Sequence, residues 1–144
     1  MTRYETAIQT HRAGFNCCTC QLLAWRDKLG LSERQCYGIG SGMGGGLRTG
    51  EICGAVSGAV MVLGMLVPHD PDTLAAGKER NAALTRELQR RFVARFGAVC
   101  CRDLKGKQPR VSDTAARSGA ETNCDQYIVA AVELLEEILK EEGI

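Results

Sequence analysis

Apolar residues recur at helical spacing along most of this chain, and no stretch alternates apolar and polar positions as a half-buried strand would. Leu84, Leu88, Phe92 and Phe96 fall four apart beside Lys78, Glu79, Arg86 and Arg90, an apolar stripe on a charged helix. Ile128, Ala131, Leu135 and Ile138 form a second stripe on a helix predicted over Cys124–Glu142. Start and stop residues frame the rest. Thr2-x-x-Glu5 opens a short first helix that ends near Gly14, and Asn16 caps a second, Cys17–Leu29, stopped by Gly30. Ser32-x-x-Gln35 starts another short helix that dissolves into glycine. Seven of the thirteen residues from Gly38 to Gly50 are glycine, which predicts a loop rather than a regular element. Cys53–Val67 reads as a buried helix, Asp70-Pro71 as the cap and first position of the next, and Gly97 as its end. Lys105–Glu121, polar and holding Pro109 and Gly119, predicts a long surface connection.

The fold class is therefore all-α, a compact helical bundle of five to six helices with a glycine-rich loop. At 144 residues a single domain, 1–144, is expected, large enough to bury a core without covalent staples. The uncharged stretch Ile52–Val67 is sixteen residues long, short of the roughly 20 that span a bilayer. A net charge of +1 gives no basis for nucleic acid or an anionic membrane as partner. Met1–Ala7 contains an acidic residue and no apolar run, so no secretory signal is expected and the cytoplasm is the expected compartment.

That compartment gives weight to the cysteines. The chain has eight, at positions 17, 18, 20, 36, 53, 100, 101 and 124, against two histidines. Structural disulfides are disfavoured in a reducing cytoplasm, so thiols kept at this frequency point to ligation or redox work. Cys17, Cys53 and Cys124 fall in the first turns of predicted helices, two of them directly after an asparagine able to cap. Unpaired N–H groups and the helix dipole favour thiolate there. Cys101 precedes Arg102, a cation for the same purpose. Four thiolates so prepared are what a metal ion or an iron–sulfur cluster requires.

Other motifs carry less. Gly40-Ser41-Gly42-Met43-Gly44-Gly45 matches the dinucleotide pattern but follows no strand; it reads better as a loop whose backbone approaches something closely. Cys17-x-x-Cys20 lacks the βαβ setting of a redox motif; on a helix the pair shares a face, to chelate or to pack. Cys100-Cys101 is a vicinal pair of which one member faces a site, and Cys36 reads as core packing. His11 and His69 stand alone, as surface or satisfied histidines.

The order Gly14-Phe15-Asn16-Cys17, a glycine loop into Cys53-Gly54-Ala55-x-x-Gly58, Phe96-Gly97 through Cys101-Arg102-Asp103-Leu104, then Cys124 before a helix, resembles the C-GCAxxG-C-C family of redox-active proteins. The resemblance runs from about Thr2 to Glu142 and is also similar to the iron–sulfur-bearing part of split-Soret cytochromes. This chain reads Cys-Gly-Ala where the label has Gly-Cys-Ala, so the match rests on spacing and flanking residues. It has no haem attachment motif, and nothing of the haem part carries over. The resemblance implies that Cys17, Cys53, Cys101 and Cys124 are the four characteristic cysteines, with Cys18, Cys20, Cys36 and Cys100 outside the set.

Three functions stay open at this point. The leading one is an iron–sulfur cluster, [2Fe–2S] favoured, held by the four thiolates for electron transfer or redox sensing with a redox partner protein. The second is a metal-free thiol–disulfide oxidoreductase or sensor in which Cys53 attacks and Cys17, Cys101 or Cys124 resolves. The third is a protein with structural zinc on four thiolates. The cofactor-binding and metal-binding residues in the first and third are the same four cysteines. A homodimer is a further expectation, since a two-fold interface would shield redox groups from solvent.

Overall fold

The two longest helices, α6 (Leu74–Phe96) and α9 (Asn123–Glu141), pack on each other and on the apolar helix α5 (Gly54–Leu66) in a computed structural model describing residues 1–144. Ahead of them come α1 (Arg3–Arg12), α2 (Cys17–Ala24), α3 (Arg26–Leu29) and α4 (Glu33–Gly40); the short helices α7 (Cys101–Leu104) and α8 (Asp113–Arg117) fall between α6 and α9. There is no sheet, only an isolated antiparallel bridge between Ile52 and Cys100. The all-α class holds. No helix is long and apolar enough to cross a membrane.

Local chemistry explains most element ends. The Thr2–Glu5 and Ser32–Gln35 capping boxes both form, and Asn16 accepts from the Thr19 amide as cap of α2. The predicted helix Cys17–Leu29 breaks at Trp25 into α2 and α3, and Gly30 ends the second in a left-handed conformation. α6 starts later than Asp70-Pro71 predicts. The Asp70 carboxylate accepts from the Asp72 and Thr73 amides and the Thr73 hydroxyl, which folds Pro71 into a turn before the helix. α9 is capped by Thr122 in a box with Asp125, not by Asn123, whose side chain donates to the Lys107 carbonyl. The polar connection also holds a helix, α8, whose Ala115 is fully buried with Ile8 and Val129.

The core gathers Trp25, Leu63, Leu88, Phe92, Ile128 and Leu135. α5 reaches α2 through its glycines: a Cβ on Gly54 would lie 3.0 Å from the Cys18 amide nitrogen, and one on Gly58 2.8 Å from Gln21 Cβ. α4 approaches the other side of α2 in the same manner, since a Cβ on Gly40 would lie 2.3 Å from Thr19 Oγ1. Small residues thus let α2 sink between two neighbours, which brings its N-terminal cysteine beside the start of α5.

Gly38–Gly40 belong to α4, so the glycine-rich loop is shorter than predicted. The chain then makes a wide turn, Gly46–Gly50, entered through Gly45; Gly45, Gly46, Leu47 and Arg48 are successive left-handed residues with φ of 61°, 62°, 59° and 63°. Gly46 has to be glycine, because a Cβ would meet the Glu51 carbonyl oxygen at 2.3 Å.

Candidate functional site

Four separate segments deliver cysteines to one place. Cys17 opens α2, Cys53 is the residue before α5, Cys101 opens α7 and Cys124 is the second residue of α9. Positions 53 and 101 are tied together by backbone bonds around the Ile52–Cys100 bridge: the Cys53 amide donates to the Val99 carbonyl at 2.8 Å and the Cys101 amide to the Glu51 carbonyl at 2.6 Å. Leu104, buried at the end of α7, accepts from the Tyr127 hydroxyl at 2.8 Å, which fixes α7 against α9. Phe96 meets Tyr127 edge-on with centroids 4.9 Å apart and closes that corner.

The result is a cavity of ≈ 310 Å³ lined by all four cysteines with His11, Gly45, Gly54, Lys105 and Tyr127. Cys53 is buried and the other three are half-buried. A larger hollow of ≈ 540 Å³, lined by Arg95, Arg110, Asp113 and Glu133 among others, contains no cysteine and stands apart from this chemistry.

The sulfurs are not equivalent. Cys17 shares its S–H with the sulfurs of Cys124 and Cys53, and that sharing, with burial, holds its pKa far above the ordinary thiol range. The two acceptors move the other way. Cys124 is lowered to about 6, first by the Cys17 thiol, with His11 and Lys105 adding to it. Cys53 is lowered by the same thiol and by the Ala55 and Val56 amides at the open end of α5. The raised Cys17 and the lowered Cys53 and Cys124 thus have one cause in common, the contact of Cys17 with its two neighbours. The expected thiolate preparation by helix ends applies to Cys53 among the four, whereas Cys17 plays the donor.

Cys101 departs from expectation in a different respect. Arg102 turns away to pair with Glu51 at 3.0 Å, and burial raises the Cys101 pKa, with Lys105 as the cation that opposes it. Cys101 lines the cavity but is outside the shared proton.

Cys18, Cys20 and Cys36 are packing groups. Burial raises Cys18 to about 11 and Cys20 to about 12; their sulfurs face Met61 Sδ and the Phe15 carbonyl, each at 3.8 Å. Cys36 is fully buried, and its pKa is raised by burial. Cys17-x-x-Cys20 is therefore no chelating pair.

One residue that sequence reasoning set aside belongs here. A ring nitrogen of His11 and the sulfurs of Cys17 and Cys124 all lie within 4.8 Å of one another. His11 Nδ1 is 2.7 Å from Asp125 Oδ1, and Asp125 is buried. His11 and Asp125 are separated by 114 positions, so no local pattern could have signalled the pair.

A family model described as "Putative redox-active protein (C_GCAxxG_C_C)" matches residues 15–138, which contain all four converging cysteines. No curated protein and no solved structure matches the chain.

Proposed function

The chain belongs to the C_GCAxxG_C_C family of redox-active proteins, and from that membership together with the cysteine-lined cavity we propose that it holds an iron–sulfur cluster for electron transfer or redox sensing. Cys17, Cys53 and Cys124 form the heart of the donor set, with Cys101 as the fourth thiolate on the same wall. The observation that carries this reading is the convergence of four cysteines, 36, 48 and 23 positions apart in sequence, on one cavity.

The cavity fits such a group in size and in polarity. At ≈ 310 Å³ it is far roomier than one ion needs, a water's share of liquid being about 30 Å³, whereas structural zinc sites are closed around a single ion. Gly45 and Gly54 line it without side chains, so backbone can come close to sulfur. When bound, a cluster of this kind takes up or releases one electron, at a potential set by amide contacts to its sulfurs and by burial. The chain's own part is to present thiolates from Cys53 and Cys124 and to keep the opening half-shielded. Phe15, Leu47 and Ile52, exposed apolar residues on the segments flanking Cys17 and Cys53, offer a surface for a redox partner protein or for a second copy.

Anaerobic purification after expression with iron tests the proposal. The expected product is a brown protein with visible absorbance and matched iron and acid-labile sulfide. A colourless protein with stoichiometric zinc would replace the cluster with a structural ion.

A second reading, metal-free dithiol chemistry, is favoured by the proton shared between Cys17 and its neighbours. Oxidation would join Cys17 to Cys53 or Cys124 in a disulfide by exchange, breaking the S–S bond of a disulfide acceptor that takes the two electrons and the protons and leaves as two thiols. A colourless, metal-free protein that reduces a small disulfide would select it.

A further inference from the structure

His11 lies outside the residues matched by the family model and outside its four cysteines, yet it points chemistry into the same cavity. We propose that His11 is a metal-ligating residue: it completes, with Cys17, Cys53 and Cys124, a three-thiolate, one-imidazole donor set for a thiophilic metal. The inference rests on the reading of the cavity as a metal centre and revises which donor takes the fourth position.

Three observations carry it. First, proximity: the donor atoms of His11, Cys17 and Cys124 all fall within 4.8 Å of one another, and Cys53 and Cys101 line the same cavity outside that group. Cys53 joins from the wall beside Cys17, whose Cβ would stand 3.2 Å from a Cβ on Gly54, the residue after Cys53. Second, orientation: Nδ1 is engaged by Asp125, so Nε2 is the nitrogen left to bind a metal. A carboxylate on the far nitrogen is the usual outer partner of a ligating histidine, fixing its tautomer and raising its basicity. Third, rigidity: the other Asp125 oxygen accepts from the Glu121 amide at 2.8 Å and the Thr122 amide at 3.0 Å. The carboxylate that aims the ring is itself locked into the cap of α9.

A histidine serving only as a surface hydrogen-bond partner would have no need to stand within 4.8 Å of two sulfurs. With five donors around four positions, His11 holds one through the compact group and Cys53 another beside Cys17, which leaves Cys101 as a wall residue. Exchanging a thiolate for a neutral imidazole removes one negative charge from the centre, which moves a redox potential upward.

The test uses the full chain, stripped by chelator and loaded anaerobically with Zn(II), a redox-silent probe that needs no sulfide. X-ray absorption on the wild type is expected to show three sulfurs at about 2.3 Å and one nitrogen at about 2.0 Å. Competition with a chromophoric chelator should then give zinc affinity about tenfold or more weaker for His11→Ala and unchanged for Cys101→Ser. Four sulfurs with no nitrogen in the wild type, or His11→Ala binding as the wild type does, would overturn the proposal and leave the cluster reading standing. A three-sulfur, one-nitrogen zinc site in a chain that never forms a brown, sulfide-containing species would do the reverse. Failure of the wild type to take up zinc would overturn the proposal too. The absorption measurement needs no variant, so a misfolded substitution cannot obscure the answer.

Discussion

Gly58 of α5 lies against Cys18 of α2 so closely that a Cβ there would stand 2.9 Å from the Cys18 carbonyl oxygen. That contact brings the start of α2, and with it Cys17, beside Cys53. Two effects compete when Gly58 becomes alanine. Helix propensity favours alanine by about 1 kcal/mol, whereas forcing a methyl into a packed contact costs about 1–3 kcal/mol. The near atoms are the Gln21 Cβ and the Cys18 carbonyl oxygen and Cα, none of which can swing aside, so the clash wins. Gly58→Ala is expected to lower stability in denaturant unfolding. Gly64→Ala, in the same helix with nothing within 4 Å of the added carbon, should raise it. A Gly58 variant as stable as the parent would show that nothing packs there.

Cys53→Ser should abolish loading of the centre, and Cys36→Ala should leave it intact. Cys53 lines the cavity beside Cys17, whereas Cys36 is fully buried elsewhere. Iron and sulfide content after anaerobic reconstitution reads the difference. Equal content in wild type and Cys53→Ser would remove Cys53 from the ligand set.

In chelator-stripped protein, Cys124 should be the thiol that alkylates at the lowest pH. Its pKa is depressed to about 6, so its thiolate is present above that pH and lost as pH falls through it. Iodoacetamide labelling followed by peptide mass spectrometry should rise near pH 6, not near 8.5 as for an ordinary cysteine. Replacing Cys17 by alanine removes the donor that stabilises this thiolate and should shift the rise upward. Cys18 and Cys20, raised to about 11 and about 12, should stay unlabelled until the chain unfolds.

Leu47 and Arg48 hold left-handed backbone with φ of 59° and 63°, which costs a non-glycine residue roughly 1–2 kcal/mol. Leu47 is exposed, so little packing is lost if its side chain goes. Leu47→Gly should therefore raise the unfolding midpoint, by about 1 kcal/mol of stability. A lower midpoint would mean that the leucine makes contacts outweighing the strain.

The sequence made legible what depends on neighbours along the chain. Capping boxes at Thr2 and Ser32, the Gly30 and Gly97 stops and the stripe on α9 are local effects, and all form. The start of α6 was hidden because Asp70 caps a turn rather than a helix, a choice between two uses of one carboxylate. α8 was hidden because five residues carry too little periodicity; Ala115 is held by Ile8 and Val129, which no local window includes. At the site, the four cysteine positions could be picked out from predicted helix starts, the neighbouring Arg102 and the family resemblance, but which of them stand in direct contact could not. That depends on which sulfur stands in the middle, and the role of His11 depends on a carboxylate 114 positions away.

The convergence of Cys17, Cys53 and Cys124 can also be regarded as polymer topology. A ligand that grips all three ties off one loop of 36 positions and another of 71, each closed without a covalent bond between chain segments. Closing a loop in advance removes disorder from the unfolded chain, and the effect grows only with the logarithm of loop length. Whatever occupies the cavity therefore acts as a reversible crosslink on most of the molecule, and its occupancy and the cohesion of α2, α5 and α9 rise and fall together.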